Sequence, residues 1–376
     1  MRIHKPPMGW NTWNTFGNNI NEQLIMEIAD TVVEKGYKDA GYEYIIIDDC
    51  WHLPERRDGK MVADPEKFPH GMKYLADYIH SKGLKFGMYS CAGVMTCYEN
   101  LPGSYGYEYT DAKQFAEWEI DYLKYDFCHF PKMADAKMAY ATMSMALRNC
   151  GRDILFAACN WGWHDPHLWM RSRGVNTYRS TEDISDNKVS FCNIAESQLE
   201  KISLSGNGFF NDMDMLIVGM HGKGNVALGG CSDEEYGLHF ALWSFMGSPL
   251  IIGGDVRNLD KASEEILLNK NLIALNQDED ALPPYLLGHD GVDGKLITMG
   301  RMLSGGRFAI GIFNLGDDGW KRGSVLFSDI GVPVGSGIKV KLTDAVTGEM
   351  IGTYEDCYQQ NLEPMQFRVL IGEIVK

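Results

Sequence analysis

The first three quarters of the chain alternate short apolar runs with segments of helical periodicity. In residues 21–35, for example, Leu24, Ile28 and Val32 recur at helical spacing. A strand followed by a helix, repeated eight times, predicts a (β/α)8 barrel. A doubly wound open sheet is the competing fold, but no GxGxxG motif follows any of the strands. The predicted strands are residues 8–10, 44–48, 85–90, 122–126, 154–159, 176–180, 213–218 and 249–254.

The pattern changes in the last quarter of the chain. From about residue 290 no long helical period appears, and apolar residues alternate with others, as at Phe308 and Ile310. Glycines punctuate these runs, as is typical of short antiparallel strands. We therefore expect a (β/α)8 TIM barrel over 1–283 and a small antiparallel β-sandwich over 284–376, with a Pro-Pro pair at the boundary.

Charge narrows the choice of partners. The 376 residues include 51 acidic and 35 basic ones, which gives a formal net charge of −16. This balance argues against nucleic acid and anionic membranes as partners and is compatible with a neutral small-molecule substrate. The acidic surface could equally serve solubility alone. Self-association is left open.

The start of the chain and its cysteines bear on the compartment. Residues 1–14 lack the apolar core and cleavage site of a secretory signal, and no uncharged run is long enough to span a bilayer. We therefore expect a cytoplasmic protein. The nine cysteines form no CxxC pair, and in a reducing compartment most of them should be thiols.

Candidate chemistry collects where the predicted strands end, which is where a barrel of this type carries its active site. Carboxylates and tryptophans dominate these positions, whereas histidine is rare. In chain order the strand-end residues are Trp10, Trp13, Asp48, Asp49, Cys50, Trp51, Tyr89, Ser90, Cys91, Lys124, Asp126, Cys159, Asn160, Trp161, Arg179, Asp183, Asp212 and Asp214.

This residue set selects among reaction types. The chain has no HExxH and no GxSxG motif, so zinc hydrolysis and a serine-hydrolase elbow are poorly supported. A magnesium or manganese site built from Asp48, Asp49, Asp212 and Asp214 is an alternative. Carboxylates with tryptophans fit sugar chemistry better, because an indole packs on the C–H face of a pyranose and glycoside cleavage needs two carboxyl groups. We predict no metal and no cofactor.

Lys124 and Asp126 lie two positions apart in an apolar strand and therefore share one face. If that face points into the barrel, the ammonium group should hold Asp126 ionised at neutral pH, as a nucleophile requires. A buried structural ion pair is the alternative interpretation.

Six stretches resemble glycoside hydrolase family 27, the α-galactosidases and α-N-acetylgalactosaminidases. The resemblance covers nearly the whole chain, with the stretches in order at the expected strand ends. They are PPMGWNTWNTFG at 6–17, IIIDDCW at 45–51, YLKYDFC at 122–128, CNWGW at 159–163, YRSTEDI at 178–184 and NDMDML at 211–216.

The resemblance implies a retaining exo-glycosidase that removes terminal α-galactosyl groups from small oligosaccharides such as melibiose or raffinose. It implies that Asp126 is the nucleophile and Asp183 the general acid/base. It also implies a galactose pocket in which Asp48 and Asp49 accept hydrogen bonds from the 4- and 6-hydroxyls and Arg179 contacts the 2-hydroxyl. The substrate-binding positions carried over are Trp13, Asp48, Asp49, Tyr89, Lys124, Cys159, Trp161, Arg179 and Met215.

Substrate choice follows from two features of the resemblance. The bulky pair Cys159 and Trp161 favours a 2-hydroxyl over an N-acetyl group, and the intact Asp48–Asp49 pair favours galactose over β-L-arabinopyranose. The alternatives are a related exo-glycosidase for β-L-arabinopyranosides, α-N-acetylgalactosaminides or isomaltose-type glucans, and a carbohydrate-binding protein without activity.

Several positions depart from the family pattern. Asn160 stands where many members have Glu, and Cys91 where Asp is frequent. Asn18 replaces the cysteine that would pair with Cys50. Cys97 and Cys128 match the second family disulfide, which we expect to be reduced or only partly formed in the cytosol.

Overall fold

A computed structural model describes residues 3–290 and 294–375. Its first part is a sheet of eight parallel strands in the order β7-β6-β5-β4-β3-β2-β1-β8. The strands are β1 Met8–Asn11, β2 Tyr44–Ile47, β3 Lys85–Cys91, β4 Tyr122–Asp126, β5 Leu155–Cys159, β6 Thr177–Arg179, β7 Phe210–Asp212 and β8 Leu250–Ile252. The predicted barrel fold is confirmed.

Helices lie between these strands, and a polar residue often fixes where each begins. Asn21 accepts a hydrogen bond from the Leu24 amide, and Ser232 forms a reciprocal capping box with Glu235. The helices are α1 Trp13–Phe16, α2 Glu22–Glu34, α3 Tyr37–Ala40, α4 Gly71–Ser81, α5 Glu108–Glu117, α6 Ala136–Arg148, α7 Pro166–Trp169, α8 Lys188–Gln198, α9 Asp233–Met246, α10 Lys261–Leu267 and α11 Lys270–Asn276.

The seventh strand is the main difference from the predicted elements. A strand was expected over 213–218, but β7 ends at Asp212 and the backbone of Asp214 is left-handed, with φ of 77°. The barrel closes beyond this turn, where the Leu216 amide donates to the Ile251 carbonyl at 2.7 Å. The turn matters for function because it aims Asp214 into the mouth of the barrel.

The alternation of side chains along β4 separates core from site. Leu123 and Tyr125 are fully buried in the main core cluster, where Tyr125 meets Tyr140 of α6 edge-on at 5.5 Å. Lys124 and Asp126 point the other way and line a pocket at the top of the barrel. The prediction that they share one inward face is confirmed.

The C-terminal strands form an antiparallel sheet of six strands, in the order β14-β13-β16-β11-β10-β9, and a two-stranded sheet of β12 and β15. Apolar side chains such as Ile312, Phe327 and Tyr358 fill the space between them. The strands are β9 Tyr285–Asp290, β10 Leu296–Leu303, β11 Arg307–Asn314, β12 Lys321–Leu326, β13 Val340–Asp344, β14 Met350–Tyr354, β15 Cys357–Leu362 and β16 Phe367–Ile374. The predicted sandwich is confirmed, whereas the exact boundary after residue 283 stays a prediction.

The sandwich packs on α9 of the barrel. Phe313 of β11 meets Phe245 with ring centroids 5.9 Å apart, and both rings are fully buried. Buried Arg301 reaches the same helix and donates to the carbonyls of Ser244 and Phe245 at 3.4 and 3.3 Å. This contact joins the two parts through a shared apolar core.

We expect Phe313→Ala to lower the free energy of unfolding by about 3–5 kcal/mol, because it leaves a cavity between α9 and the sandwich. Leu326→Ala on β12 removes an apolar side chain that is 49% exposed and serves as the control. Denaturant titration followed by circular dichroism measures both. Equal, small effects of the two substitutions would contradict this account of the interface.

Candidate active site

A pocket of about 460 Å³ opens at the C-terminal ends of the barrel strands. Ten of the eleven site residues predicted from the sequence line it, at the ends of strands β1 to β7 or on the segments that follow them. The lining residues are Trp13, Asn14, Asp48, Asp49, Tyr89, Cys97, Lys124, Asp126, Trp161, Arg179, Asp183, Ile184, Asp214, Met215 and Val226. The pocket therefore brings residues that are far apart in the chain to one place.

Cys159 is the predicted residue that lies elsewhere. It lines a separate cavity of about 380 Å³ deeper in the barrel, together with Asp212 and Ile251. Lys124, Arg179, Asp214 and Met215 border both cavities and form the floor between them. The Cys159 sulfur lies 3.9 Å from an Arg179 nitrogen, so this thiol supports the pocket from below.

Asp48 is fixed by direct polar contacts from three sides. Its Oδ2 accepts hydrogen bonds from Lys124 Nζ and Asn11 Nδ2, both at 2.8 Å. Its backbone amide donates to Thr12 Oγ1 at 2.9 Å. The sequence indicated that Lys124 would hold Asp126, but the ion pair that Lys124 makes is with Asp48, which directly follows β2 across the barrel mouth.

Asp49 follows directly and is held by backbone amides instead. Its two oxygens accept from the amides of Cys50 at 2.7 Å and Tyr98 at 3.0 Å. Burial nevertheless raises the pKa of Asp49, since the two amides compensate only part of the lost hydration and the charge of Asp48 adds to the rise. The two adjacent carboxyl groups are thus kept apart by different sets of donors.

Asp126 ends β4 and is only 5% exposed. Burial raises the pKa of its carboxyl group to about 6, against the charge of Lys124 and a hydrogen bond from the Phe127 amide. That amide donates to Oδ1 at 2.8 Å. Since the pKa stays below 7, Asp126 is mostly ionised at neutral pH while carrying few direct partners.

Arg179 of β6 bridges two carboxylates. One guanidinium nitrogen lies 2.6 Å from Asp183 Oδ1 and 2.9 Å from Asp214 Oδ2. Arg179 is 4% exposed, whereas the Asp183 side chain is 72% exposed at the pocket mouth. The arginine therefore connects a buried acid to an acid that faces solvent.

The pKa values of the two acids paired with Arg179, Asp183 and Asp214, are shifted in opposite directions. Burial raises the pKa of Asp214 to about 6, although Arg179 opposes this rise. Burial also acts to raise the pKa of Asp183, but the charges of Arg179 and Lys124 outweigh it and the net pKa is lowered. Solvent screens the interactions of Asp183 because its side chain is so exposed.

Asp214 was a strand-end candidate and part of the metal alternative but was not predicted to bind sugar, yet it organises this side of the pocket. Besides its ion pair with Arg179, Asp214 accepts a hydrogen bond from the amide of Ile184 at 2.7 Å. Ile184 directly follows Asp183, so one carboxylate fixes both the arginine and the backbone beside the exposed acid. Its position in the NDMDML stretch was the available signal.

A disulfide between Cys97 and Cys128 borders the pocket. The hydroxyl of Tyr89 lies 3.4 Å from the Cys97 sulfur. The pairing implied by the resemblance is present in the structure. Cys50 is a buried thiol, in keeping with the missing partner at Asn18, and Cys91 is a buried thiol as well.

The metal alternative fits this geometry poorly. Its four aspartates have other partners, since Asp48 pairs with Lys124 and Asp214 with Arg179. Asp212 accepts the amide of Asp214 at 2.9 Å within the same turn. Cations of the protein thus occupy the positions from which two of these acids would bind a metal ion.

The class of protein follows from these features. Asp126 and Asp183, from different strands, line one pocket that has charged groups on its floor and indoles on its walls. The charged groups can form hydrogen bonds with sugar hydroxyls, and the indoles can pack on the C–H face of a sugar ring. A barrel with such a mouth is a carbohydrate-active enzyme of the glycoside hydrolase type.

Comparison with known proteins identifies the family. The family model described as alpha galactosidase A matches residues 5–278. An α-galactosidase of Cyamopsis tetragonoloba is 46% identical over 275 residues, which cover 73% of this chain and 64% of that protein. The chain belongs to the alpha galactosidase A family, which is glycoside hydrolase family 27, and it is a glycoside hydrolase. The family and enzyme class predicted from the sequence are confirmed.

Solved structures agree with this assignment. The crystal structure of α-galactosidase I from Mortierella vinacea has a TM-score of 0.91 at 34% identity and covers 98% of this chain and 96% of its own. The structure of the Saccharomyces cerevisiae α-galactosidase with raffinose has a TM-score of 0.87 at 27% identity and covers 99% and 98%. In the part of the chain that is described, no helix is both long and apolar enough to cross a bilayer.

The raised pKa of Asp126 generates a prediction about stability. A carboxyl group with a pKa near 3.8 in the unfolded chain and about 6 in the folded protein binds protons more readily in the folded state. The free energy of unfolding of the protein therefore falls as pH rises between these values. Asp126→Asn removes this penalty. We expect the variant to gain up to about 3 kcal/mol relative to the wild type between pH 4 and pH 7.5.

Urea unfolding of both proteins at the two pH values measures the difference. The control is that the urea dependence of the unfolding free energy stays equal for the two proteins, so that the same surface is exposed. A difference between variant and wild type that does not change with pH would contradict the raised pKa.

Proposed function

We propose that this chain is an exo-acting α-galactosidase that hydrolyses terminal α-D-galactosyl groups with retention of configuration. The observation that carries the proposal is that Asp126 and Asp183 line one pocket while differing in their surroundings. Asp126 is buried at its base, and Asp183 is exposed at its mouth. A nucleophile belongs beside the anomeric carbon and an acid beside the departing oxygen, which is the division that this pair offers.

In the first step the Asp126 carboxylate attacks the anomeric carbon, and the bond from that carbon to the leaving oxygen breaks. Asp183 gives its proton to this oxygen, so the leaving group departs as an alcohol. In the second step Asp183 takes a proton from water, and the resulting hydroxide displaces Asp126 from the galactosyl group. Both carboxyl groups return to their starting states.

Asp183 needs a proton for the first step, although Arg179 favours its ionised form in the empty pocket. A bound sugar displaces water and raises the pKa of a carboxyl group beside it. Arg179 keeps Asp214 as a partner when it releases Asp183, so the arginine does not become an unpaired buried charge. The shared arginine thus allows Asp183 to change protonation state during the cycle.

The remaining predicted residues supply the galactose contacts. Asp48 and Asp49 accept the 4- and 6-hydroxyls, Lys124 donates to hydroxyls from the floor, and Trp13 covers the apolar face of the ring. Trp161 limits the space at the 2-position, with Cys159 beneath the floor rather than on the wall. This arrangement favours a 2-hydroxyl over an N-acetyl group.

The cytoplasmic location expected from the sequence stays a prediction, and self-association stays open. The disulfide between Cys97 and Cys128 argues against a cytoplasmic location, because such bonds are typical of oxidising compartments. A neutral oligosaccharide as the substrate agrees with the net charge of −16.

A panel of nitrophenyl glycosides with one shared leaving group tests the substrate. We expect kcat/KM for the α-galactoside to exceed the values for the α-N-acetylgalactosaminide and the β-L-arabinopyranoside by at least about 100-fold. The N-acetyl group meets the space that Trp161 limits, and the arabinopyranoside lacks the 6-hydroxyl that the Asp48–Asp49 pair would accept. Chelator should leave the rate unchanged. Comparable turnover of the α-galactoside and either competitor would refute the specificity, and loss of activity with chelator would favour the metal-dependent alternative.

Rescue chemistry tests the two acids. Asp126→Ala should lower kcat by about 10⁴-fold or more, and azide should partly restore turnover with inverted product, because a small anion fits the vacated space. Asp183→Ala should slow melibiose more than the nitrophenyl galactoside, because a good leaving group needs little protonation. Product configuration is read by proton NMR.

Asp212→Asn is the matched control, since this carboxyl group lies in the deeper cavity and outside the pocket lining. It should show neither azide rescue nor a dependence on the leaving group. Rescue of Asp126→Ala with retained configuration, or equal losses of both substrates in Asp183→Ala, would count against the assigned roles.

A further inference from the structure

The loop after β5 carries an unusual backbone. Trp161, Gly162, His164 and Asp165 all have positive φ, between 51° and 86°. Three of these four carry a side chain, for which the left-handed region is disfavoured. Backbone of this kind persists only where neighbouring groups hold it and is concentrated at functional sites. Trp163 lies in the middle of this loop, between Gly162 and His164.

Hydrogen bonds hold the loop in place. The Trp163 amide donates to the Asn160 carbonyl at 2.9 Å, and the buried Asn160 side chain donates back to the Trp163 carbonyl. Farther along, the indole of Trp169 donates to the His164 carbonyl at 2.7 Å. The position of Trp163 is therefore set by groups on both sides of it.

The indole of Trp163 is anchored at one side and open at the other. Its ring centroid lies 5.8 Å from that of Trp161 and 6.4 Å from that of Phe127, and both contacts are edge-on. Trp161 lines the sugar pocket, and Phe127 directly follows Asp126. Even so, Trp163 is 56% exposed. Trp163 therefore lies next to Trp161, on the side away from the pocket lining.

The same loop lies against the segment that carries the exposed acid. A Cβ atom on Gly162 would come within 2.7 Å of the carbonyl oxygen of Ser180, so only glycine allows this approach. Ser180 lies between Arg179 and Asp183 in the chain. Under the proposed function Asp183 protonates the leaving oxygen, and the leaving group must therefore emerge on the side where Trp163 stands.

We propose that Trp163 is the binding platform for the leaving-group sugar. Its open face would stack on the C–H face of an uncharged hexopyranosyl ring joined to the galactosyl group, as in a disaccharide. This inference rests on the proposed function and adds to it a preference for oligosaccharides over galactosides with small leaving groups. Trp163 contacts the part of the substrate that lies outside the pocket and is a specificity-determining residue.

The test compares melibiose with α-galactosyl fluoride. Fluoride departs without a sugar ring, so the ratio of kcat/KM for melibiose to that for the fluoride isolates binding of the leaving-group sugar. In Trp163→Ala this ratio should fall about tenfold, which corresponds to the loss of one stacked ring. Trp163→Phe keeps an aromatic face and should restore most of the ratio.

Trp320→Ala is the matched control. Trp320 is 58% exposed, similar to Trp163, but belongs to the sandwich and is outside the pocket lining. Its substitution should leave the ratio unchanged. An unchanged ratio in Trp163→Ala, with a melting temperature equal to that of the wild type, would overturn the inference.

Two outcomes separate this inference from the proposed function. A wild-type protein that hydrolyses neither substrate refutes the proposed function itself. A wild-type protein that hydrolyses both, with the ratio insensitive to Trp163→Ala, refutes only the platform. If Trp163→Ala leaves the ratio unchanged but dissociates an oligomer in light scattering, the indole is a contact between copies and the platform is again refuted.

Discussion

Two cations lie inside the mouth of the barrel, and their need for partners determines the geometry of the site. Lys124 and Arg179 are too buried to be left uncompensated, because an unpaired charge removed from water is costly. Lys124 is paired with Asp48, and Arg179 is paired with Asp183 and Asp214. These contacts join β2 to β4 and β6 to the turn after β7, so they position the acids as well as neutralising them.

The distribution of these partners leaves Asp126 different from the other acids. Lys124 makes its direct contact with Asp48, and among the described residues Asp126 accepts a hydrogen bond only from the amide of Phe127. A carboxylate with few donors keeps more of its electron density available for attack on carbon, provided that it stays ionised. The charge of Lys124 still lowers the pKa enough for this, against the burial that raises it to about 6. The lysine thus influences the proposed nucleophile without forming a direct hydrogen bond to it.

Much of this arrangement could be predicted from the sequence, since strand alternation places Lys124 and Asp126 on one face and barrels carry their sites at strand ends. Three details could not. The partner of Lys124 depends on which carboxylate of another strand lies close to it in the closed barrel. Spacing along a single strand does not give that distance. The role of Asp214 depends on a left-handed residue that ends β7 early. Cys159 lies beneath the floor because the last residue of β5 points into the barrel below Arg179.

The floor of the pocket is held by buried ion pairs, whereas the loop around Trp163 at its edge is held by local hydrogen bonds. This difference affects which parts of the specificity can change without loss of stability. Under the proposed function, contacts to the first sugar come from strand ends that belong to a network of buried charges, where one substitution leaves a neighbouring charge unpaired. The loop around Trp163 instead relies on local hydrogen bonds from Asn160 and on glycine at position 162. An exposed ring on such a loop can be exchanged without disturbing Lys124 or Arg179. On these two proposals, recognition of the galactosyl group is coupled to the stability of the barrel, whereas recognition of the leaving group is nearly independent of it.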